Sequence, residues 1–188
     1  MARKALERSV GRLIILDIDE TSLAGVRDEF ADFGIPVFGF RVDLSRQEEI
    51  RKTAQQLEDQ GMHIDILVNN AGVVTGKFFH EHSHEEIERN MRVNSLAPMH
   101  LTRALLPGMM SRKTGAVCTI ASSASLVSNP KMSVYAASKW AAFGWSDSVR
   151  LEMERLNTSV TFTSVLPYYI STGMFAGVRS GIIPVLDP

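Results

Sequence analysis

The 188-residue chain is 45% hydrophobic and 22% charged, with 20 Lys and Arg against 21 Asp and Glu for a formal net charge of −1. It can bury one sizeable core and reads as a single domain over residues 1–188, with no basic or acidic face to suggest a nucleic-acid or polyanionic partner. The lone Cys118 excludes an internal disulfide, and neither an apolar leader in Met1 to Val10 nor an eighteen-residue apolar window is found, so a cytoplasmic chain without a membrane span is expected.

Strand-like and helix-like patterns alternate, which predicts an α/β domain with a parallel sheet. Arg12 to Ile18 reads as a strand ending in acid, Thr21 to Phe33 as a helix and Val37 to Val42 as the next strand. Ser45-Arg46-Gln47-Glu48 has the form of a capping box opening a helix to about Asp59. Ile64 to Val68 is a short buried strand, and Ser83-His84-Glu85-Glu86 is a second capping box whose helix runs toward Met110. His80, His82 and His84 have the alternate spacing of metal ligands on a strand, yet a helix starts at Ser83 and no further Cys or His is spaced to complete a site. They are expected to be solvent-exposed, with no metal. Within the second helix, Pro98 has no N–H to offer the Asn94 carbonyl, so a kink is expected, and a carbonyl left near a lysine suits a water. Ala116 to Ala121 is a strand that holds Cys118 as a small buried residue. Ser133 to Leu156 is a long helix and Val160 to Leu166 a last strand. Met109, Met110, Trp140 and Trp145 read as packing residues.

The chemistry concentrates in the segment from Ser122 to Lys139. Tyr135 and Lys139 are four apart, so on a helix they share a face. A neighbouring cation favours the phenolate and lowers a tyrosine pKa from about 10 toward neutrality, which makes a usable general acid/base. Asp17 ends the first strand, where a carboxylate can hold ribose hydroxyls; its charge would repel a 2′-phosphate, favouring NAD over NADP. The other reading of that carboxylate is a helix N-terminal acid, a role that suits Asp19 better.

Asn70-Ala71-Gly72, Asn94, Ser122, Tyr135 and Lys139 occur in the order and spacing of the short-chain dehydrogenase/reductase family, which the chain resembles over nearly its whole length. The segments Leu16 to Asp19 and Pro167 to Phe175 are most similar to the branch of retinol and 17β-hydroxysteroid dehydrogenases. The resemblance implies a Rossmann-like, doubly wound parallel sheet. It also implies an NAD-dependent interconversion of an alcohol, retinoid-, steroid- or lipid-like, with its carbonyl. Tyr135 would be the proton donor and acceptor. Lys139 would lower its pKa and hold the nicotinamide ribose. Ser122, thirteen residues before Tyr135, would bind the substrate oxygen, with Ser123 as the alternative, and Asn94 would complete the set through a backbone-held water. Asn70, Ala71 and Gly72 would line the adenosine side. Asp43 would contact adenine or be a loop residue ahead of Ser45. Thr172 would contact the cofactor, although Tyr168 stands where that motif has a glycine. The helix from Ser133 carries Ala136, Ala137, Ala141, Ala142 and Gly144. In the family it joins the helix around Met91 to Leu105 in a dimer interface, so a homo-oligomer is expected; plain packing on the sheet is the other reading.

Family members open with a strand and a T-G-x-x-x-G-x-G loop whose backbone N–H groups meet the cofactor pyrophosphate at a helix N-terminus. None of the thirteen glycines here is one residue from another, so no G-x-G exists. Against the family the sheet is therefore incomplete, with the first strand, the glycine-rich loop and the last strand missing, as for a chain truncated at both ends. The absent first strand is a central one, leaving a gap to be closed, filled by another chain or left disordered. A catalytically inactive fragment, lacking the pyrophosphate site, is the alternative to an active enzyme.

Overall fold

The computed structural model describes residues 10–168. Two groups of parallel strands carry the fold. β1 (Leu13–Asp17) pairs with β2 (Val37–Arg41), in a register that sets Leu13 opposite Val37 and Asp17 opposite Arg41. β3 (Ile66–Asn69), β4 (Gly115–Ile120) and β5 (Val160–Val165) form a second sheet in that order. No strand among the described residues pairs with the other edge of β1 or of β3. The strands thus separate where the resemblance implies a missing central strand.

Local chemistry explains the helices between them. α1 (Glu20–Glu29) is capped by Asp19, whose carboxylate accepts from the Thr21 N–H. The expected Ser45 capping box is corrected. α2 (Gln47–Asp59) starts one residue later, on Arg46, which makes no side-chain cap. Ser45 is instead taken up by Asp43, which accepts from both its N–H (2.9 Å) and its hydroxyl (2.7 Å). The Ser83 box forms as predicted: Ser83 Oγ accepts from the Glu86 N–H, and Glu86 accepts from the Ser83 N–H. It opens α3 (His84–Met91).

The kink expected at Pro98 takes a defined form. α3 passes into a π-helical turn, Arg92–Leu96, before α4 (Ala97–Arg112) resumes. Proline has no N–H for the carbonyl four residues back, and one wide turn accommodates that loss without ending the helix. Asn94 lies at its centre. α5 (Ser133–Arg155) then leads into β5.

The core centres on the three-stranded sheet. Leu67, Val117, Val160 and Phe162 pack with Ile50, Ala97, Leu101, Met109 and Met153, while β1 reaches this cluster through Leu16. Met109 is fully buried, as expected, and its side chain lies 2.8–2.9 Å from where a Cβ on Gly115 would sit. Only glycine starts β4 without displacing it. Several burial expectations are corrected. β3 is covered on one side only, since Leu67 is buried but Ile66 and Val68 are 62% and 41% exposed. Trp140 is half exposed rather than packed, Cys118 is only partly buried, and the His82 side chain is fully enclosed. Neither ring nitrogen of His82 has a hydrogen-bond partner, although Glu86 lies 3.8 Å away. Among the described residues no His/Cys/Asp/Glu group is arranged to hold a metal, and no helix is long and apolar enough to cross a membrane.

Open edges have a measurable consequence. Among the described residues one edge of β1 and one of β3 lack a strand partner, and unpaired apolar edges invite association. Amides of residues 10–42 are expected to exchange with solvent faster than those of 66–69, 115–120 and 160–165, where three strands share the main core. Concentration-dependent self-association should accompany this in sedimentation. Uniformly slow exchange in a clean monomer would show that both edges are covered.

Candidate active site

Every expected site residue within the described chain lies at or past the C-terminal end of a parallel strand or on a helix facing that end, where open α/β sheets bind ligands. Asp17 ends β1 and Asp43 follows β2. Asn70, Ala71 and Gly72 follow β3, and Ser122 follows β4. Thr172 lies outside the described residues.

Tyr135 and Lys139 project from successive turns of α5 and are almost fully buried, at 3% and 4% exposure. The Lys139 ammonium lies 5.9 Å from the Tyr135 ring centroid and donates to the Ile120 carbonyl (2.8 Å) at the end of β4. Burial disfavours the charged form and lowers the Lys139 pKa to about 8. Ser122 and Tyr135 line one small cavity with Ser123, Ala124, Asn129, Met132 and Tyr168. Its volume of about 10 Å³ suits about one water molecule. Ser122 Oγ accepts from the Ala124 N–H (3.1 Å), which leaves its own proton able to point into that space.

Asn94 is 1% exposed and works as a bracket. Its carboxamide accepts from the Val73 N–H and donates to the Val73 carbonyl, both at 2.8 Å, tying the π turn to the segment after Gly72. It also donates to Ser138 Oγ (2.9 Å), which donates on to the Tyr135 carbonyl (2.7 Å). Ser95 Oγ donates to the Ser138 carbonyl (2.8 Å), and Ser125 Oγ to the Lys139 carbonyl (2.9 Å). These buried serines, Ser95, Ser125 and Ser138, were missed in the sequence. Ser138 had a signal: a serine three residues after Tyr135, on the inner face of a helix, can bond back to a helix carbonyl.

The strand ends beyond β1 and β2 are acidic. Asp17, Asp19 and Glu20 are exposed together, and Asp17 accepts from the Asp19 N–H (3.0 Å). Asp19 is the helix cap, as anticipated, and hydrogen bonds from Ser22 and Thr21 lower its pKa. Asp43 is engaged within its loop; the Ser45 hydroxyl holds its carboxyl below the usual range, and its own N–H donates to Glu49 (2.9 Å). Asn70 and Ala71 are exposed and Gly72 half-buried.

A buried Tyr/Lys pair on one helix, a strand-end serine sharing a cavity with the tyrosine, and an asparagine in a π turn define an acid/base site on a parallel α/β scaffold. The family model for the short chain dehydrogenases matches residues 1–182, and the chain belongs to that family. Its relatives place it in the retinol and 17β-hydroxysteroid dehydrogenase branch. It is 35% identical over 156 residues to epidermal retinol dehydrogenase 2 of Mus musculus, covering 81% of this chain and 50% of that protein. It is 33% identical over 178 residues to estradiol 17-beta-dehydrogenase 11 of Macaca fascicularis, covering 94% and 59%. The chain thus spans between half and three-fifths of these relatives' length. Among solved structures, a short-chain dehydrogenase/reductase from Burkholderia phymatum in complex with NAD superimposes with a TM-score of 0.87 at 28% identity, over 97% of this chain and 68% of that one. A metagenomic short-chain oxidoreductase in complex with NADP gives 0.80 at 29% identity, over 89% and 74%.

Proposed function

We propose that the chain is the catalytic portion of an NAD-linked oxidoreductase that interconverts a small hydrophobic alcohol, retinoid-, steroid- or lipid-like, with its carbonyl, as a single partial dinucleotide-binding domain over residues 1–188. The observation that carries this is Tyr135 facing the same cavity as Ser122, with the buried Lys139 one turn further along the same helix. Tyr135 takes the substrate hydroxyl proton in oxidation and returns it in reduction. Lys139 stabilises the phenolate as long as it stays protonated. Ser122 donates to the substrate oxygen, where negative charge develops. Asn94 holds the π turn and the Gly72–Val73 segment against α5. When bound, a nicotinamide ring supplies the two-electron acceptor or donor.

The residues present suit such a cofactor at its two ends. Tyr135 and Lys139 would hold the nicotinamide ribose, and Asp17 with Asp43, Asn70, Ala71 and Gly72 would hold the adenosine, with Thr172 added from the sequence motif. The acidic end of β1 opposes a 2′-phosphate, so NAD is preferred. The middle is different. The helix N-terminus next to Asp17 is already capped by a carboxylate, Asp19, and no glycine-rich turn stands among the described residues to receive a pyrophosphate. That favours a second reading, a non-catalytic chain of the same family. A homo-oligomer is proposed, the solvent-facing Trp140 and Leu151 of α5 offering an apolar surface.

The test is coenzyme-dependent oxidation of a panel of hydrophobic alcohols, read by reduced-nicotinamide absorbance. NAD-linked turnover is expected only at coenzyme concentrations far above micromolar, because binding is weak, and Asp17→Ala should reduce the preference for NAD over NADP by about tenfold, on the order of one hydrogen-bonded charge. An unchanged preference would remove Asp17 from the ribose.

A further inference from the structure

Ser122 lies in the middle of a segment fastened at both ends to one residue. At the near end, Lys139 Nζ donates to the Ile120 carbonyl (2.8 Å). At the far end, Ser125 Oγ donates to the Lys139 carbonyl (2.9 Å). The Ser125 N–H donates in turn to the Ser122 carbonyl (2.8 Å), closing a one-turn 3₁₀ helix at Ser123–Ser125. Ser125 is 0% exposed and Lys139 4%, so water does not compete for either bond. Lys139 stands well inside α5, where its carbonyl already faces the helix ladder. The Ser125 bond therefore supplies no partner the helix lacks. What it adds is attachment of the Ser122 turn to the catalytic helix.

We propose that Ser125 is a positioning residue, whose buried hydroxyl closes a ring of hydrogen bonds through Ile120, Ser122 and Lys139 and so fixes both the Ser122 hydroxyl against Tyr135 and the Lys139 ammonium against the strand end. The ring has three fixed points on one short stretch: a strand terminus, a 3₁₀ turn and a helix. Removing the hydroxyl frees the turn from α5 at its far end while leaving the strand and helix ladders intact. Ala121 and Ser123 still donate to the Val165 and Pro167 carbonyls (both 2.8 Å), so the relaxation centres on Ala124 and Ser125, and water reaches the ammonium from that side. The inference rests on the oxidoreductase reading for its catalytic meaning, but its geometry is read without substrate or cofactor.

The experiment is an NMR titration of ¹³C-labelled lysine in the whole chain, with the Lys139 signal assigned by its loss in Lys139→Met. In the parent protein Lys139 should titrate near 8, because burial holds it there. Ser125→Ala should retain the parent's circular dichroism and a cooperative melt, and move the Lys139 midpoint upward by one pH unit or more, a tenfold or greater change in proton affinity. Ser125→Thr keeps the hydroxyl and should return the parent titration. If Ser125→Ala fails to fold, Ser125→Cys, with nearly the same volume and a weak donor, carries the same comparison. An unchanged Lys139 midpoint in a folded variant without the hydroxyl would overturn the proposal, even with a lowered melting temperature, because a serine that merely packs alters stability alone. Failure of Ser125→Thr to restore the titration would count against it as well. Loss of the catalytic reading would show separately, as turnover that survives Tyr135→Phe.

Discussion

Tyr135→Phe is expected to lower alcohol turnover by at least 10²-fold while leaving the melting temperature and circular dichroism of the chain close to the parent's. The substitution removes one oxygen, and with it the only proton that α5 can exchange with a substrate oxygen in the Ser122 cavity. General acid/base groups contribute 10²–10⁴-fold, so a smaller loss would place the proton transfer elsewhere. Lys139→Met should cost a comparable factor by a different route. It leaves the phenol in place but removes the cation, so the residual rate should reach its plateau only at higher pH, toward the ordinary tyrosine value of about 10. The parent should lose rate on the alkaline side instead, as Lys139 gives up its proton above about 8. Near-parent turnover by Tyr135→Phe would sink the mechanism.

Lys139 also ties activity to stability. Its folded pKa, about 8, lies below the unfolded value of 10.5. Below pH 8 both states carry the proton, and the native state bears the full cost of a buried ammonium. Between about 8 and 10.5 the unfolded state binds more protons than the native one, so this group's contribution to stability rises with pH across that window and is constant outside it. The span corresponds to on the order of 3 kcal/mol. Lys139→Met should remove the pH-dependent part and stabilise the chain at pH 7, at the expense of the function proposed for it.

The α/β alternation, the element order and the Tyr135–Lys139 pair were legible because each is a local pattern: period two, period 3.6, or two residues one turn apart. The same holds for Asp19 and for the Ser83 box, whose partners lie within three residues. What could not be read are relations between distant segments. Ser45 has the right neighbour for a capping box in Glu48, but Asp43 competes for both its N–H and its hydroxyl and takes the cap position away. Pro98 announces a broken ladder; that the break becomes a π turn presenting Asn94 to Val73 depends on a segment 21 residues away. Ser125 and Lys139 are separated by 14 positions, with nothing in their intervening sequence to reveal the bond. The apolar run at β3 suggested a buried strand, yet Ile66 and Val68, which share one face, are exposed, since what covers that face depends on distant segments.

Binding of NAD to the 188-residue chain is expected to be weak, with no saturable heat in calorimetry at micromolar cofactor. A dinucleotide is held at three places, and the contacts proposed above account for only two of them. The pyrophosphate carries two charges that a Rossmann-like fold receives on backbone N–H groups at a helix N-terminus, after a glycine-rich turn that lets the backbone come close. The chain has no G-x-G, and the helix start beside Asp17 already has its first donors satisfied by the Asp19 carboxylate. Instead of a positive cradle, the segment after β1 exposes three acids, Asp17, Asp19 and Glu20. Neutralising them should not suffice, because the missing element is backbone rather than charge. Adding a strand and a glycine-rich turn ahead of Met1 supplies both the donors and a partner for the open edges of β1 and β3. That longer chain should bind NAD at micromolar concentration, and its β1 amides should become protected at the same time. Micromolar NAD binding by the 188 residues alone would show that another set of donors receives the pyrophosphate and would dismiss the non-catalytic reading. Protection of β1 without any gain in NAD binding would separate the two effects and place the defect in the turn rather than in the sheet.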